Sequence, residues 1–127
     1  MLVVEDHHDT RELLVLSITR AGFDVAEAAT GNEAVAQAKT RHPDLILMDL
    51  SLPGLNGDQV IEILKTDAAT RNIPVIVNSA YPADSALVQR AVACGASEVL
   101  QKPITFSKLR QAVCRYLPPT NGEAAMG

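Results

Sequence analysis

The stretch DLILMDLSLPGLNG, residues 44–57, decides how this chain of 127 residues folds. Its early part, 45–48, is a continuous apolar run of strand length, which is typical of a β-strand covered on both faces. The run stops at Asp49, and Gly54 and Gly57 in the following loop allow a sharp turn. A buried strand that ends in a carboxylate beside a tight loop indicates a parallel sheet with a binding site at its carboxyl edge.

Similar apolar runs recur along the chain and alternate with amphipathic stretches of helix length. Strands are predicted at 2–4, 45–48 and 75–77, with weaker candidates at 24–28 and 99–101. Helices are predicted near 8–20, 31–41, 57–67, 84–94 and 105–117. Thr30 and Glu33 have the spacing of a capping box, and Gly22 and Gly95 stand where left-handed helix ends are expected. Five strands that are each followed by a helix predict an α/β fold with right-handed crossovers.

Composition and charge exclude several classes of protein. The chain is 47% hydrophobic and 20% charged, which is the mixture of one globular domain. Its net charge of −4 disfavours binding to nucleic-acid phosphates. No apolar run approaches the ~20 residues that cross a bilayer, and no signal peptide is recognisable, so we expect a cytoplasmic protein that binds neither DNA nor membranes. Cys94 and Cys114 are expected to be buried thiols without a disulfide or metal role.

Polar residues end four of the predicted strands and therefore meet at one edge of the predicted sheet. They are Glu5 and Asp6 after the first strand, Asp49 after the third, Asn78 and Ser79 after the fourth, and Gln101 and Lys102 after the fifth. Three carboxylates at one edge repel one another, and a divalent cation removes that repulsion. Oxygen ligands favour Mg²⁺, and a facing lysine suits a transferring phosphoryl group. The set predicts phosphoryl transfer to or from an aspartate.

The same residues carry a resemblance to a known family. Over residues 2–117 the chain resembles the receiver domain of bacterial two-component response regulators. The matching segments are Val3–Asp6, Asp44–Gly57, Val75–Ala80 and Lys102-Pro103. The resemblance implies a doubly wound, flavodoxin-like sheet of five parallel strands in the order 2-1-3-4-5 with five helices. It also implies a receiver domain at 1–117, and the composition of 118–127 separately predicts a linker or C-terminal tail that cannot form a core.

The resemblance assigns the acidic residues to phosphorylation. Asp49 is the implied phosphoacceptor, taking a phosphoryl group from a sensor histidine kinase or a phosphotransfer protein. Asp6, Asp49 and the backbone carbonyl of Ser51 are implied ligands of Mg²⁺, and Glu5 is implied to bind the ion through a water. Such a domain changes conformation to signal, and its own chemistry is confined to self-catalysed phosphotransfer and autodephosphorylation.

The resemblance also gives roles to residues of the last two strands. Lys102 is implied to pair with a phosphoryl oxygen, and its peptide bond with Pro103 is cis in the family. Ser79 is implied to turn its hydroxyl toward the phosphoryl group and to move on activation. The chain departs from the family at Val99, where an aromatic residue is common, and at Ile104, where phenylalanine is common.

Other functions stay open on the sequence. A Mg²⁺-dependent phosphohydrolase is disfavoured because Ser51 stands where a second acid is needed. A flavin-binding protein is disfavoured because Glu5 and Asp6 would repel the flavin phosphate. An adaptor that is never phosphorylated is disfavoured by the intact acidic set with Ser79 and Lys102. A transition-metal site at the adjacent His7 and His8 is a minor alternative. We expect the chain to be a piece of a longer protein, such as a hybrid kinase or a multi-domain regulator, with a stand-alone receiver as the alternative, and homodimer formation is left open.

Overall fold

The computed structural model describes residues 1–117, in which a five-stranded sheet carries helices on both faces. The strands are β1 (Leu2–Val4), β2 (Ala26–Ala28), β3 (Ile46–Asp49), β4 (Val75–Ser79) and β5 (Glu98–Gln101). The helices are α1 (His8–Arg20), α2 (Gly31–Arg41), α3 (Gly57–Thr66), α4 (Ala86–Cys94) and α5 (Phe106–Tyr116). None of these helices is long and apolar enough to cross a bilayer.

All four strand pairs are parallel, and the strands lie in the order β2-β1-β3-β4-β5. The predicted α/β class, the doubly wound sheet and its flavodoxin-like strand order are confirmed. Every helix and strand begins and ends within two residues of its predicted bounds. The predicted tail at 118–127 lies outside the described residues.

The ends of the helices follow local sequence signals. The hydroxyl of Thr30 accepts a hydrogen bond from the backbone N–H of Glu33 at 3.1 Å, and the Glu33 carboxylate accepts one from the N–H of Ala29 at 2.8 Å. The predicted N-cap at Thr30 is therefore present, but the reciprocal bond of a capping box is not, because Glu33 accepts from Ala29 and not from the N-cap residue itself. Gly22 and Gly95 have φ angles of 100° and 120° at the ends of α1 and α4, which confirms both predicted left-handed positions.

Each face of the sheet has its own apolar core. Because side chains alternate along a strand, Ile46 and Met48 of β3 pack with α2, α3 and α4, whereas Leu47 packs with α1 and α5. We call the first side the α2–α4 face and the second the α1/α5 face. The same alternation continues beyond the strands and decides on which face each polar residue at the carboxyl edge lies.

Helix α5 shows why the prediction of two buried thiols was wrong. Its buried residues are Leu109, Ala112 and Val113, and the next position, Cys114, is exposed. Successive residues on an α-helix are about 100° apart, so the residue after a buried one can point to solvent. Cys94, at the end of α4, is half-buried, and both thiols are free.

Candidate functional site

Four residues from three distant segments of the sequence meet at the carboxyl edge of the sheet. Carboxylate oxygens of Glu5, Asp6 and Asp49 all lie within 4.8 Å of one another. The Nζ atom of Lys102 lies 3.2 Å from Asp49 Oδ2 and 3.6 Å from Glu5 Oε1. The expected convergence of these side chains is therefore present, with the ammonium group of Lys102 within ion-pair distance of two of the three acids, Glu5 and Asp49.

The pairing of the strands explains how the two buried acids come together. In β1 and β3, Val4 is aligned with Met48, so the next residues along the two strands, Glu5 and Asp49, are neighbours. Val3 and Leu47 belong to the core of the α1/α5 face. Because side chains alternate, Glu5 and Asp49 point to that same face, two residues beyond these apolar side chains.

Glu5 is a buried acid whose charge is poorly compensated. Its side chain is 2% exposed, and its Oε2 accepts a hydrogen bond from the backbone N–H of His7 at 3.2 Å. Its Oε1 is buried and accepts no hydrogen bond from the described residues. Burial, with a further contribution from the negative charge of Asp49, raises the pKa of Glu5 to about 7. Removing a carboxylate from water favours its neutral form unless a cation is nearby, and Lys102 supplies that charge only in part.

Asp49 presents its carboxylate at the open side of the sheet edge. It is 8% exposed, and its Oδ1 accepts a hydrogen bond from the backbone N–H of Ser51 at 3.1 Å. Lys102 Nζ donates to Oδ2 at 3.2 Å. These two donors fix the orientation of the carboxylate. Asp6, which follows Glu5 in the chain, is exposed and completes the group from the solvent side.

Ser79 lies at the same edge but points to the other face of the sheet. It follows Val77 by two residues in β4, and Val77 belongs to the core of the α2–α4 face. Its hydroxyl accepts a hydrogen bond from the backbone N–H of Tyr81 at 2.9 Å. No hydrogen bond of the described residues joins this hydroxyl to Asp49. The roles of the Ser79 hydroxyl and of the Ser51 carbonyl stay predictions.

The connection from β5 to α5 fixes Lys102 beside β4. The backbone N–H of Lys102 donates to the carbonyl of Ser79 at 2.7 Å, which extends the pairing of β4 and β5. The peptide bond between Lys102 and Pro103 is cis, as the family resemblance implied. The backbone of Lys102 is thus held at the edge of the sheet while its side chain reaches the acids.

Residues at the start of α1 support the site and were not predicted to do so. Nδ1 of His7 accepts a hydrogen bond from the N–H of Thr10 at 3.4 Å, so His7 caps α1. Arg11 donates to the backbone carbonyl of Glu5 at 2.9 Å and pairs with Glu27 at 3.1 Å. Nothing in the sequence marks Arg11 for this contact, because it depends on the rotation of α1 about its axis.

A second group of potential metal ligands lies on the first turn of α1. Side-chain atoms of His8, Asp9 and Glu12 lie within 4.8 Å of one another, and all three residues are exposed. His8 and Glu12 have the i,i+4 spacing at which exposed side chains meet on any helix. His7, the other half of the predicted histidine pair, is not a member of this group.

Comparison with known proteins identifies the family. The profile of the response regulator receiver domain matches residues 1–114. The chain belongs to this family. It is 38% identical to the phosphate regulon transcriptional regulatory protein PhoB of Klebsiella pneumoniae, over 94% of this chain and 53% of that protein. It is 31% identical to sporulation initiation phosphotransferase F of Bacillus subtilis, over 93% of each chain. This receiver domain therefore spans about half the length of PhoB and nearly all of the shorter relative.

Solved structures agree with this assignment. The receiver domain of sensor histidine kinase PA1611 from Pseudomonas aeruginosa PAO1 has a TM-score of 0.84 and 27% identity, covering 91% of this chain and 93% of that one. That structure has a magnesium ion coordinated in its active site cleft. The chemotaxis protein CheY4 of Vibrio cholerae has the same TM-score at 26% identity, covering 91% and 96% of the two chains. These neighbours confirm the receiver fold of this chain.

Proposed function

We propose that this receiver domain accepts a phosphoryl group from a phosphohistidine onto Asp49, with Mg²⁺ bound beside it. One observation carries the proposal: carboxylate oxygens of Glu5, Asp6 and Asp49 lie within 4.8 Å of one another, next to the Lys102 ammonium. A structural ion pair needs one acid for one lysine, whereas a bound cation accounts for the other acids.

The residues of the acidic group fit a hard divalent cation. All of their ligand atoms are oxygens, and Glu5 Oε1 is buried without a hydrogen-bond donor among residues 1–117. Such a set favours Mg²⁺ over the softer metals that histidine and cysteine bind. Asp6, Asp49 and the carbonyl of Ser51 would hold the ion, and Glu5 would reach it through a water. When bound, Mg²⁺ reduces the negative charge on the phosphoryl oxygens.

Asp49 and Lys102 carry out the transfer in this proposal. A carboxylate oxygen of Asp49 attacks phosphorus, and the phosphorus–nitrogen bond of the phosphohistidine breaks as the new oxygen–phosphorus bond forms. Lys102 leaves Asp49 Oδ2 and pairs with an oxygen of the transferred group, where its charge stabilises the transition state. Ser79 gives up its hydrogen bond with the Tyr81 N–H and turns its hydroxyl toward the acyl phosphate, which begins the conformational signal.

The phosphoryl donor is a sensor histidine kinase or a phosphotransfer protein that covers the rim of the site on the α1/α5 face. A cavity of about 500 Å³ next to Lys102 is lined by apolar side chains of α1 and of the loop after β5, among them Leu13 and Ile104. Leu13 is 65% exposed. A protein that brings a histidine to Asp49 must lie against this rim, and exposed apolar side chains there give it a surface to bury.

Mass spectrometry of the intact protein tests the proposal. Incubation with Mg²⁺ and acetyl phosphate is expected to add one phosphoryl group to the wild type and none to Asp49→Asn. Asp44→Asn is the matched control, because Asp44 is an exposed acid just before the other end of β3. Omitting Mg²⁺ should abolish the reaction. A folded wild type that gains no phosphoryl group would instead favour an adaptor that is never phosphorylated.

A further inference from the structure

Asn78 is a buried amide at the carboxyl edge of the sheet for which the proposed function gives no role. Its side chain is 3% exposed, and Oδ1 is buried without a hydrogen-bond partner in residues 1–117. The preceding residue on the same strand and face, Ile76, belongs to the apolar core. A buried amide oxygen without a donor costs stability, and an apolar side chain of the same shape avoids that cost. Packing alone therefore does not account for asparagine at this position.

The placement of Asn78 relates it directly to the site. It is aligned with Asp49 on β3, and on its other side with Leu100 on β5. All three side chains point to the α1/α5 face, since Leu100 packs in the core of that face. Asn78 therefore lies in the row between the phosphoacceptor and the strand from which Lys102 emerges.

The side chain of Lys102 has to cross β4 to reach the acids. Its backbone follows β5, yet its Nζ lies 3.2 Å from Asp49 Oδ2 on β3. Neighbouring strands are about 4.8 Å apart, so the lysine spans two such spacings and passes over β4 on the face where Asn78 lies. Lys102 and Asn78 both line the cavity of about 500 Å³ on this face.

We propose that Asn78 is a positioning residue for Lys102. Its amide oxygen accepts a hydrogen bond from the Lys102 ammonium group when the cation and the phosphoryl group engage Asp49 and Glu5. The inference rests on the proposed function and adds a residue to it. The ammonium group of Lys102 has three N–H donors and now contacts Asp49 and Glu5. Once the cation and the phosphoryl group engage these acids, a phosphoryl oxygen would accept one donor, and a second donor needs an acceptor on the protein. An amide oxygen supplies one without adding a fourth negative charge to the site.

A receiver domain that uses Asn78 in this way should show opposite effects on stability and on phosphorylation. Asn78→Leu removes the unpaired amide and should raise the melting temperature of the metal-free protein by roughly 3–8 °C. The same substitution should slow phosphorylation by acetyl phosphate at saturating Mg²⁺ by about tenfold, because the lysine loses an acceptor. Asn78→Val is a second variant with the same expected signs, and Ile76→Val controls for packing on the same strand and face.

A double-mutant cycle decides whether Asn78 acts through Lys102. In the Lys102→Ala background, Asn78→Leu is expected to cause no further slowing, whereas a general disturbance of the sheet edge would slow both backgrounds equally. Equal slowing in the two backgrounds overturns the inference. A rate for both Asn78 variants that matches wild type and Ile76→Val also overturns it. Wild type and Ile76→Val that both fail to gain a phosphoryl group overturn the proposed function itself.

Discussion

The two faces of the sheet have similar aliphatic cores but end in different ways at the carboxyl edge. On the α2–α4 face the helices form a continuous layer, in which α2 packs on α3 and α3 packs on α4. On the α1/α5 face the helices leave a cavity above the ends of the strands. The buried acids, Asn78 and Lys102 all lie on this second face. The buried polar residues are therefore concentrated where the helical layer is incomplete.

The largest difference between the two faces is expected at two adjacent residues, Gln101 at the end of β5 and Lys102 directly after it. Lys102→Met removes the charge that balances the transferring group and should slow phosphorylation by acetyl phosphate by about 10²-fold. Gln101→Met alters the preceding residue, which alternation places on the α2–α4 face, and should leave the rate close to that of wild type. Initial rates from intact-mass spectra measure both variants. An equal loss of phosphorylation rate in Lys102→Met and Gln101→Met would show that the two faces do not differ in this respect.

Packing within the helical layers gives the next largest effect. A Cβ atom at Gly31 would lie 2.7 Å from Val60 Cγ2 and 2.8 Å from Leu55 Cβ, so Gly31→Ala has no room in the α2–α4 layer. We expect it to lower the free energy of unfolding in urea by about 1–3 kcal/mol. Leu16→Ala on α1, where the side chain is 46% exposed, should cost less than about 1 kcal/mol. A larger loss in Leu16→Ala would show that the α1/α5 layer is the better packed one.

The buried charge of Glu5 makes the metal-free domain sensitive to pH. The pKa of Glu5 is about 7 in the folded protein against 4.5 as its ordinary value, so the folded state binds the extra proton between these values. Stability is therefore lost as pH rises from about 4.5 to 7 and is not regained above it. Glu5→Gln should be more stable than wild type at pH 8 by about 1–2 kcal/mol, after allowance for solvent screening, and no more stable at pH 4.

Metal binding provides the check on this pH effect. Mg²⁺ should stabilise the wild type at pH 8 more than it stabilises Glu5→Gln, so the difference between their free energies of unfolding becomes smaller. Urea unfolding with and without Mg²⁺ measures the change. A wild type that, without metal, gains stability relative to Glu5→Gln between pH 5 and pH 8 contradicts the raised pKa of Glu5.

The smallest expected effect concerns the partner surface. Leu13→Asn on the α1/α5 face should slow phosphotransfer from a phosphohistidine-bearing protein by about five- to tenfold, because an apolar contact is lost. Val92→Asn on α4 is the matched control, since Val92 is 53% exposed on the opposite side. Neither variant should alter the rate with acetyl phosphate, which needs no docking surface. Slowing by Val92→Asn alone would place the donor on the other face.

The sequence predicts the fold well because its local signals are strong and consistent. Continuous apolar runs mark the buried strands, and capping residues mark the helix ends. Parallel strands that end at one edge also predict that Glu5, Asp6, Asp49 and Lys102 converge, since only strand order and direction are needed for that inference. The apolar pattern, the helix-capping residues and the strand topology all indicate the same fold, which is why one sequence suffices to predict it.

The remaining details depend on side-chain direction and could not be predicted. The contact of Arg11 with the Glu5 carbonyl depends on how α1 rotates against the sheet. The burial of Cys114 was predicted wrongly because helix phase, and not composition, decides it. The alignment of Asn78 with Asp49 requires the register of β3 and β4, which a sequence does not specify. Each of these three features depends on how the helices and strands pack in the folded chain.

A crystal structure with Mg²⁺ and beryllofluoride tests the central claim most directly. We expect a beryllofluoride group on an Asp49 carboxylate oxygen, Mg²⁺ held by Asp6 and Asp49, and a contact between Lys102 Nζ and a fluorine atom. An Asp49 without an adduct, or a metal ion bound at His8, Asp9 and Glu12 in place of the sheet edge, would contradict the account.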